Sequence, residues 1–298
     1  MSRAELEEWD WDWKPMMMEA DPWAYSIIGA LIVGLSGVAP ILFISIPAIP
    51  DSKKSTGDAP VFGRTLKLLL SFGVGGLLGD VFLHLLPEIW STMNLNKHEE
   101  HKEVGMWVIA GMLSFVCLQM LLSHCPIEAS NSLNDCDIRR QIQRHVTGYL
   151  NLLANSIDNF AHGLAVAGSF LVSTKVGLAT TFAILVHEVP HEVGDFAILM
   201  RAGFTRWDAA RAQLLTACIG IMGALAALSI GSDKAERGAW WILPFTSGGF
   251  LTVALVNVLP DLLKESTDLW EAIKDFSALL FGILAMALVT RCLDISPT

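Results

Sequence analysis

The chain has 298 residues, of which 53% are hydrophobic and only 17% are charged. Soluble domains carry about 25% charged residues, so this balance is typical of a membrane protein. The formal net charge is -10 and no basic patch is visible, which argues against a nucleic-acid partner. The 5 Cys form no C-x-x-C pair, so they predict neither a disulfide framework nor a thiolate zinc site.

The order along the chain predicts a tail, a membrane domain and a second tail. Residues 1–22 are acidic and rich in tryptophan, and they lack the basic start and apolar core of a secretory signal. Residues 23–292 contain eight apolar stretches that approach the roughly 20 residues a membrane helix needs. These stretches cover approximately residues 24–49, 64–90, 104–124, 146–172, 176–200, 208–231, 239–263 and 269–291. We therefore predict an all-α membrane protein with eight transmembrane helices and a C-terminal tail at 293–298.

The distribution of Lys and Arg predicts the orientation of these spans. An even number of spans places both termini on the same side of the membrane. The loops after the first, third, fifth and seventh spans, with their flanks, carry the larger share of the 20 Lys and Arg residues. By the positive-inside rule these loops, including residues 125–145, are predicted to be cytosolic, and both termini to be extracellular or lumenal.

Polar and ionisable side chains interrupt three of the spans. Such residues are rare inside membranes, because each charged one costs about 2.5–3.5 kcal/mol on insertion scales. The second span carries Asp80, His84 and Glu88; the fourth carries Asp158, Asn159 and His162; the fifth carries His187, Glu188, His191, Glu192 and Asp195. A function that needs these groups would account for their cost.

The spacing of these residues points to a metal site. Residues four apart share a helix face, so Asp158 and His162 point the same way, as do His187, His191 and Asp195. The fourth span reads D-N-x-x-H and the fifth reads H-E-x-x-H. Packed face to face, two such helices would surround one or two cations with imidazole nitrogen and carboxylate oxygen. That ligand set suits zinc, iron(II), manganese or cobalt better than calcium or copper(I).

Two other functions fit part of this pattern. The sequence HEVPH matches the motif in which two His bind zinc and Glu acts as the base of a protease. A receptor or scaffold with a structural metal is the second alternative. Pro190 inside the motif, the paired D-N-x-x-H and the ionisable residues of the second span weigh against a protease. Pro190 also frees the Val186 carbonyl, which is tolerated in a membrane where it is buried in protein or lines a wet cavity. We therefore predict a transport pathway rather than an enzyme and assign no catalytic residue.

At these residues the sequence resembles the ZIP family of divalent-metal transporters, and the resemblance covers nearly the whole chain. Its motifs are FLHLLPE in the second span, HEVPHEVGDFAIL in the fifth and ALVNVLPDLL in the seventh. Most of the branch with the H-E-x-P-H-E signature has H-N-x-x-D in the fourth span. This chain has D-N-x-x-H, which resembles the ZIP-thirteen type.

The resemblance implies a ZIP-like bundle with a binuclear metal site between helices four and five, and a homodimer. One metal position would be formed by Asp158, His162, His187 and His191. The neighbouring position would be served by Asn159, Glu188 and Glu192, sharing His162 and His191. The transport pathway would include Asp80, His84, Glu88 and Asp195, with His84 and Glu88 towards one end. Zinc or iron(II) is the expected transported substrate, and no organic cofactor is expected.

The resemblance also implies a location and a direction. Relatives usually move metal into the cytosol, and this branch implies an intracellular secretory membrane, such as the Golgi apparatus, endoplasmic reticulum or vesicles, rather than the plasma membrane. Delivery of iron(II) into the secretory lumen is the alternative. Many relatives have a long His-rich loop between spans three and four, but residues 125–145 have no such run.

Overall fold

The computed structural model describes residues 21–40, 59–92, 98–123, 135–231, 234, 238–265 and 268–294. Most of the predicted N-terminal tail, the first part of the predicted cytosolic loop and most of the predicted C-terminal tail lie outside the described residues. Within the described ranges the chain is almost entirely helical and contains no strand. The long helices are α1 (Pro22–Ser36), α2 (Ala59–Asp80, continued by Val81–Leu85 and Leu86–Thr92), α3 (His98–Ser123), α4 (Asp135–Val172), α5 (Thr174–Arg201), α6 (Arg206–Ile230), α7 (Ile242–Leu251, continued by Thr252–Val258 and Leu259–Glu265) and α8 (Leu269–Asp294).

Five of the described helices are long and apolar enough to cross a membrane. They comprise Gly63–Ser91, His101–Ser123, Arg206–Ile230, Ile242–Glu265 and Leu269–Cys292. The helix α1 is a shorter apolar helix of 15 residues. The helices α4 and α5 have 38 and 28 residues, but polar side chains interrupt their apolar runs.

The outer faces of α3 and α8 are apolar. Met106 and Leu113 on α3, and Phe281 and Leu284 on α8, are each more than half exposed. Large apolar side chains arranged in this way suit a hydrocarbon surrounding, because water would penalise such a surface. The helices and their outer faces therefore belong to a multi-pass membrane protein.

The helix α4 begins at Asp135, earlier than the predicted start near residue 146. Residues 135–145, predicted as the end of a loop, are therefore helical. This stretch contains Arg, Gln and Ile but no Gly or Pro, so nothing in it interrupts a helix. Hydropathy bounds only the apolar part of a helix, and α4 continues beyond that part.

The helix α5 lies centrally among the helices that carry the predicted site. The helices α1, α4, α5 and α6 pack against one another, while α2 pairs with α8 and α3 pairs with α7. Contacts between α2 and α5, and between α4 and α7, join these sets. Because α5 touches both α2 and α4, the polar residues of all three helices face a common interior.

Glycine allows α2 and α5 to approach closely. Gly73 on α2 faces Gly194 on α5, and a Cβ atom built on Gly73 would lie 2.6 Å from the Gly194 Cα atom. Small residues at helix interfaces allow such approach in membranes. Gly194 is adjacent to Asp195, and Gly73 lies about two helical turns before Asp80. This contact therefore determines how closely α2 approaches the site.

We expect Gly73→Val to separate α2 from α5. The added side chain would overlap the Gly194 backbone, and overpacking of this kind costs about 1–3 kcal/mol. The thermal unfolding midpoint in detergent and the zinc affinity should both fall. Gly105→Val on α3 is the matched control, because a Cβ atom there meets nothing within 4 Å. Equal behaviour of the two variants would contradict the role given to the glycine contact.

Four charged residues connect the ends of α4 and α5 to α7. Arg144 Nη2 lies 2.9 Å from Glu265 Oε1, and Arg201 Nη2 lies 2.7 Å from the same oxygen. Both guanidinium groups also lie within 3.6 Å of Asp261 Oδ2. The network joins the two site-bearing helices to α7 at one end of the bundle.

Candidate metal centre

The helix α5 supplies most of the polar side chains of the centre. It begins at Thr174, where the Ser173 hydroxyl accepts a hydrogen bond from the backbone N–H of Val176 at 3.2 Å and so caps the first turn. The helix runs without a break through Pro190 to Arg201. His187, Glu188, His191, Glu192 and Asp195 are all buried.

The first group of possible ligands, called position A here, consists of His162, His187 and Glu188. The Nε2 atoms of His162 and His187 are 3.1 Å apart, and Glu188 Oε1 lies 3.6 Å from each of them. The three side chains are at most 8% exposed. Position A therefore offers two imidazole nitrogens and one carboxylate oxygen in a space the size of one ion.

The second group, called position B, consists of Asp80, Asp158 and His191. One possible ligand atom from each residue lies within 4.8 Å of the others. Both nitrogens of His191 and one oxygen of each carboxylate are buried without a hydrogen-bond partner among the described residues. Buried polar atoms normally have partners, so a cation that several of them share would account for this convergence.

This grouping divides the predicted ligands differently from the arrangement implied by the family resemblance. Asp158 and His162 share a face of α4, with His162 Nδ1 3.8 Å from Asp158 Oδ2, yet they belong to different groups. His187 and His191 are also separated, between positions A and B. Asp80, predicted as a pathway residue, lies with the ligands of position B.

The remaining predicted ligands are held by amide side chains. Asn159 Nδ2 donates to the Asn155 carbonyl oxygen at 3.1 Å and also to the Asn155 side-chain oxygen, so Asn155 orients the Asn159 amide. Gln213 Nε2 donates to Glu192 Oε2, and Asn155 Nδ2 donates to Asp195 Oδ2 at 2.7 Å. These hydrogen bonds orient the carboxylates of Glu192 and Asp195.

Asn155 and Gln213 were not among the residues predicted from the sequence. Asn155 Nδ2 also lies 3.2 Å from Gln213 Oε1, so the two amides connect α4 to α6 beneath the carboxylates of α5. The sequence did contain a signal for Asn155, because Asn151, Asn155 and Asn159 recur every four residues on one face of α4. The prediction weighed ionisable residues and Asn159, and it overlooked the amides of Asn155 and Gln213.

We expect Gln213→Leu to weaken zinc binding by about 10–100-fold, the range typical for outer groups around a metal site, because its partner Glu192 lies outside positions A and B but adjoins the position B ligand His191. The change removes the hydrogen bond from Gln213 to Glu192 while keeping a side chain of similar size in α6. Equilibrium binding of zinc to purified protein measures the effect. Gln141→Leu, at an exposed position of α4, is the control. Unchanged affinity in Gln213→Leu would show that Glu192 needs no orientation.

The predicted pathway residues of α2 lead outward from the two groups. His84 Nε2 lies 3.6 Å from Glu88 Oε2, and the side chains of His84 and Glu88 are 21% and 47% exposed. Asp80, one turn earlier, is buried. Asp195 lies at the opposite, interior side, where its Oδ2 atom is 3.9 Å from His191 Nδ1.

The charges of the centre favour a dication. Five carboxylates are buried there, in Asp80, Asp158, Glu188, Glu192 and Asp195. Among the residues whose burial the structure describes, no Lys or Arg is buried with them. Buried charges of one sign are unfavourable unless a counter-ion neutralises them. A divalent metal would supply both the charge and the bonds.

Comparison with known proteins agrees with this chemistry. The family model described as ZIP zinc transporter matches residues 20–137 and 124–290. The "Zinc transporter ZIP13 homolog" of Drosophila melanogaster is 46% identical, over 93% of this chain and 91% of its own length. The "Zinc transporter ZIP13" proteins of Pongo abelii and Homo sapiens are 49% and 46% identical, over 92% of this chain and 80% and 82% of their own lengths. The chain belongs to the ZIP family of zinc transporters.

Proposed function

We propose that the chain carries zinc across a membrane through a binuclear site made of positions A and B. The observation that carries this proposal is the set of buried ligand atoms in His191, Asp80 and Asp158 that have no hydrogen-bond partner in the described part of the chain. Relatives that cover most of the chain are named zinc transporters. Mixed nitrogen and oxygen ligands also suit a divalent transition metal.

The two positions differ in their ligands, and this difference bears on selectivity. Position A has two imidazoles and one carboxylate, whereas position B has one imidazole and two carboxylates. Carboxylates are harder ligands than imidazoles, so position B accepts iron(II) and manganese more readily than position A does. Iron(II) is therefore the proposed competing substrate, with position B as the point of competition.

The proposed function includes an orientation of the chain in the membrane and a route for the metal. Eight membrane helices, α1 to α8, place both termini on the lumenal or outer side, and residues 125–145 face the cytosol. The concentration of Lys and Arg in the loops after the odd-numbered spans supports this orientation. Metal enters beside Glu88 and His84 and moves past positions A and B into the cytosol. The protein works as a homodimer in a secretory membrane such as that of the Golgi apparatus.

The geometry does not favour a zinc protease. In the H-E-x-x-H mechanism both His of the motif bind one zinc ion. Here His187 and His191 fall in different ligand groups, and no group found among the described residues contains both. Glu188, which would serve as the base, lies 3.6 Å from two imidazole nitrogens, as a metal ligand would.

Metal flux into liposomes that contain the purified protein tests the function. Zinc and iron(II) are compared under controlled redox conditions, with liposomes of the same lipid without protein as the blank. We expect zinc flux that saturates with concentration and that iron(II) reduces by competition. A protein that binds zinc but moves neither metal would be a scaffold, and the proposed function would then be wrong.

A further inference from the structure

A third group of ligand atoms overlaps both positions. Asp80, His84 and His187 bring one possible ligand atom each within 4.8 Å of one another, and the rings of His84 and His187 have centroids 4.2 Å apart. We propose that these residues form a third metal position, called position C, which an ion occupies before it moves to position A. The inference rests on the transport function proposed above.

The exposure of α2 gives position C its place in the path. The Glu88 and His84 side chains are 47% and 21% exposed, whereas Asp80 is 2% exposed. One oxygen of Asp80 is buried and has no hydrogen-bond partner among the described residues. An ion that meets Glu88 and His84 therefore finds its next free ligand at Asp80, and the interior begins there.

The backbone at His84 departs from a regular α-helix. Residues Val81–Leu85 form a π-helical turn, at the end of which Leu86 N–H donates to the Val81 carbonyl. π turns within α-helices occur frequently at functional sites. This wider turn changes the angle at which His84 leaves α2 relative to Asp80, and it brings the His84 ring against His187.

Sharing of His187 makes positions A and C alternatives. His187 Nδ1 lies 3.2 Å from the Ala183 carbonyl oxygen, so a proton on Nδ1 completes a hydrogen bond and leaves Nε2 as the metal ligand. The same Nε2 atom faces His162 Nε2 in position A. One nitrogen lone pair binds one ion, so an ion in position C must release His187 Nε2 for position A to fill.

Sharing of Asp80 has a different consequence. A carboxylate has two oxygens and can bind two ions at once. Position B therefore stays filled while an ion occupies position C. The chain holds at most two ions, one in position B and one in either position A or position C. The second ion moves from position C to position A, and His187 is a ligand of both positions.

The wild-type protein tests this exclusion directly. Purified protein is dialysed to equilibrium against zinc, and the bound metal is counted per chain by elemental analysis. The zinc bound to the His187→Ala, His191→Ala double variant is subtracted, because it measures sites outside the interior centre. After this subtraction we expect saturation at two ions or fewer per chain. Three ions in the centre would overturn the proposal.

The variant His84→Asn tests the role of position C in loading. Loss of this imidazole should slow zinc association, followed by stopped-flow, by about tenfold, the lower end of the range seen in affinity or activity when groups around a metal site are replaced. The number of ions bound at equilibrium should not change, because positions A and B are intact. His84→Gln is measured in parallel, and His145→Asn, outside the three groups, is the control.

The outcomes separate this inference from the proposed function. Slow association with unchanged stoichiometry in both His84 variants supports position C. Association at the wild-type rate would overturn position C even if the protein transports zinc. A loss of stoichiometry in the His84 variants would also overturn it, because His84 would then be a ligand of the resting centre. Absence of zinc transport by the wild-type protein would instead contradict the function itself.

Discussion

His191→Ala and His187→Ala are each expected to reduce zinc transport to the background level of empty liposomes. His191 is the only imidazole of position B, and its removal leaves two carboxylates facing each other in a buried space. His187 belongs to position A, so its removal leaves one imidazole and one carboxylate there. Two ligands rarely hold a zinc ion, which is usually bound by three or four groups.

The measurement is initial zinc flux, normalised to the amount of protein correctly inserted in the liposomes. His145→Ala, a substitution of the same type outside the ligand groups, should transport at the wild-type rate. Near-normal flux in either α5 variant would remove that histidine from the metal path. Loss of both flux and thermal stability would indicate misfolding, so the unfolding midpoint is recorded for every variant.

Exchange of Asp158 and His162 should change metal selectivity. The double variant Asp158→His, His162→Asp keeps charge and ligand count but reverses the character of the two groups. Position B would gain an imidazole and position A would gain a carboxylate. Because imidazole favours zinc relative to iron(II), and because we assign the competition to position B, the zinc-to-iron flux ratio should rise severalfold.

The single variants identify which position controls the ratio. Asp158→His alone should raise the ratio, since it acts on position B. His162→Asp alone acts on position A and should lower the ratio only if position A controls selectivity. A double variant that transports both metals at the wild-type ratio would place selectivity elsewhere, and the α2 residues Asp80, His84 and Glu88 would be the next to test.

Helical periodicity made much of the centre predictable. The four-residue spacing of Asp158 with His162, and of His191 with Asp195, corresponds to atom separations of 3.8 and 3.9 Å in the structure. The free-energy cost of polar groups in apolar spans also indicated that α2, α4 and α5 carry the site. Both features involve residues within a single helix, so they can be predicted from the sequence.

The division into positions A and B was not predictable in this way. It depends on how α2, α4 and α5 are rotated and how closely they approach, and contacts such as Gly73 against Gly194 determine both. The role of Asp80 depends on the same packing, because its partners in position B, Asp158 and His191, lie on other helices. Gln213 was missed for a related reason, since a single amide on α6 has meaning only through Glu192 on α5.

A structure determined with bound zinc would test the binuclear site most directly, because anomalous scattering locates the metal without reference to the protein atoms. We expect anomalous peaks at position A, beside His162, His187 and Glu188, and at position B, beside Asp80, Asp158 and His191. Zinc–nitrogen distances should be about 2.0–2.1 Å. A single interior peak bound by both His187 and His191, with Asp80 uninvolved, would contradict it.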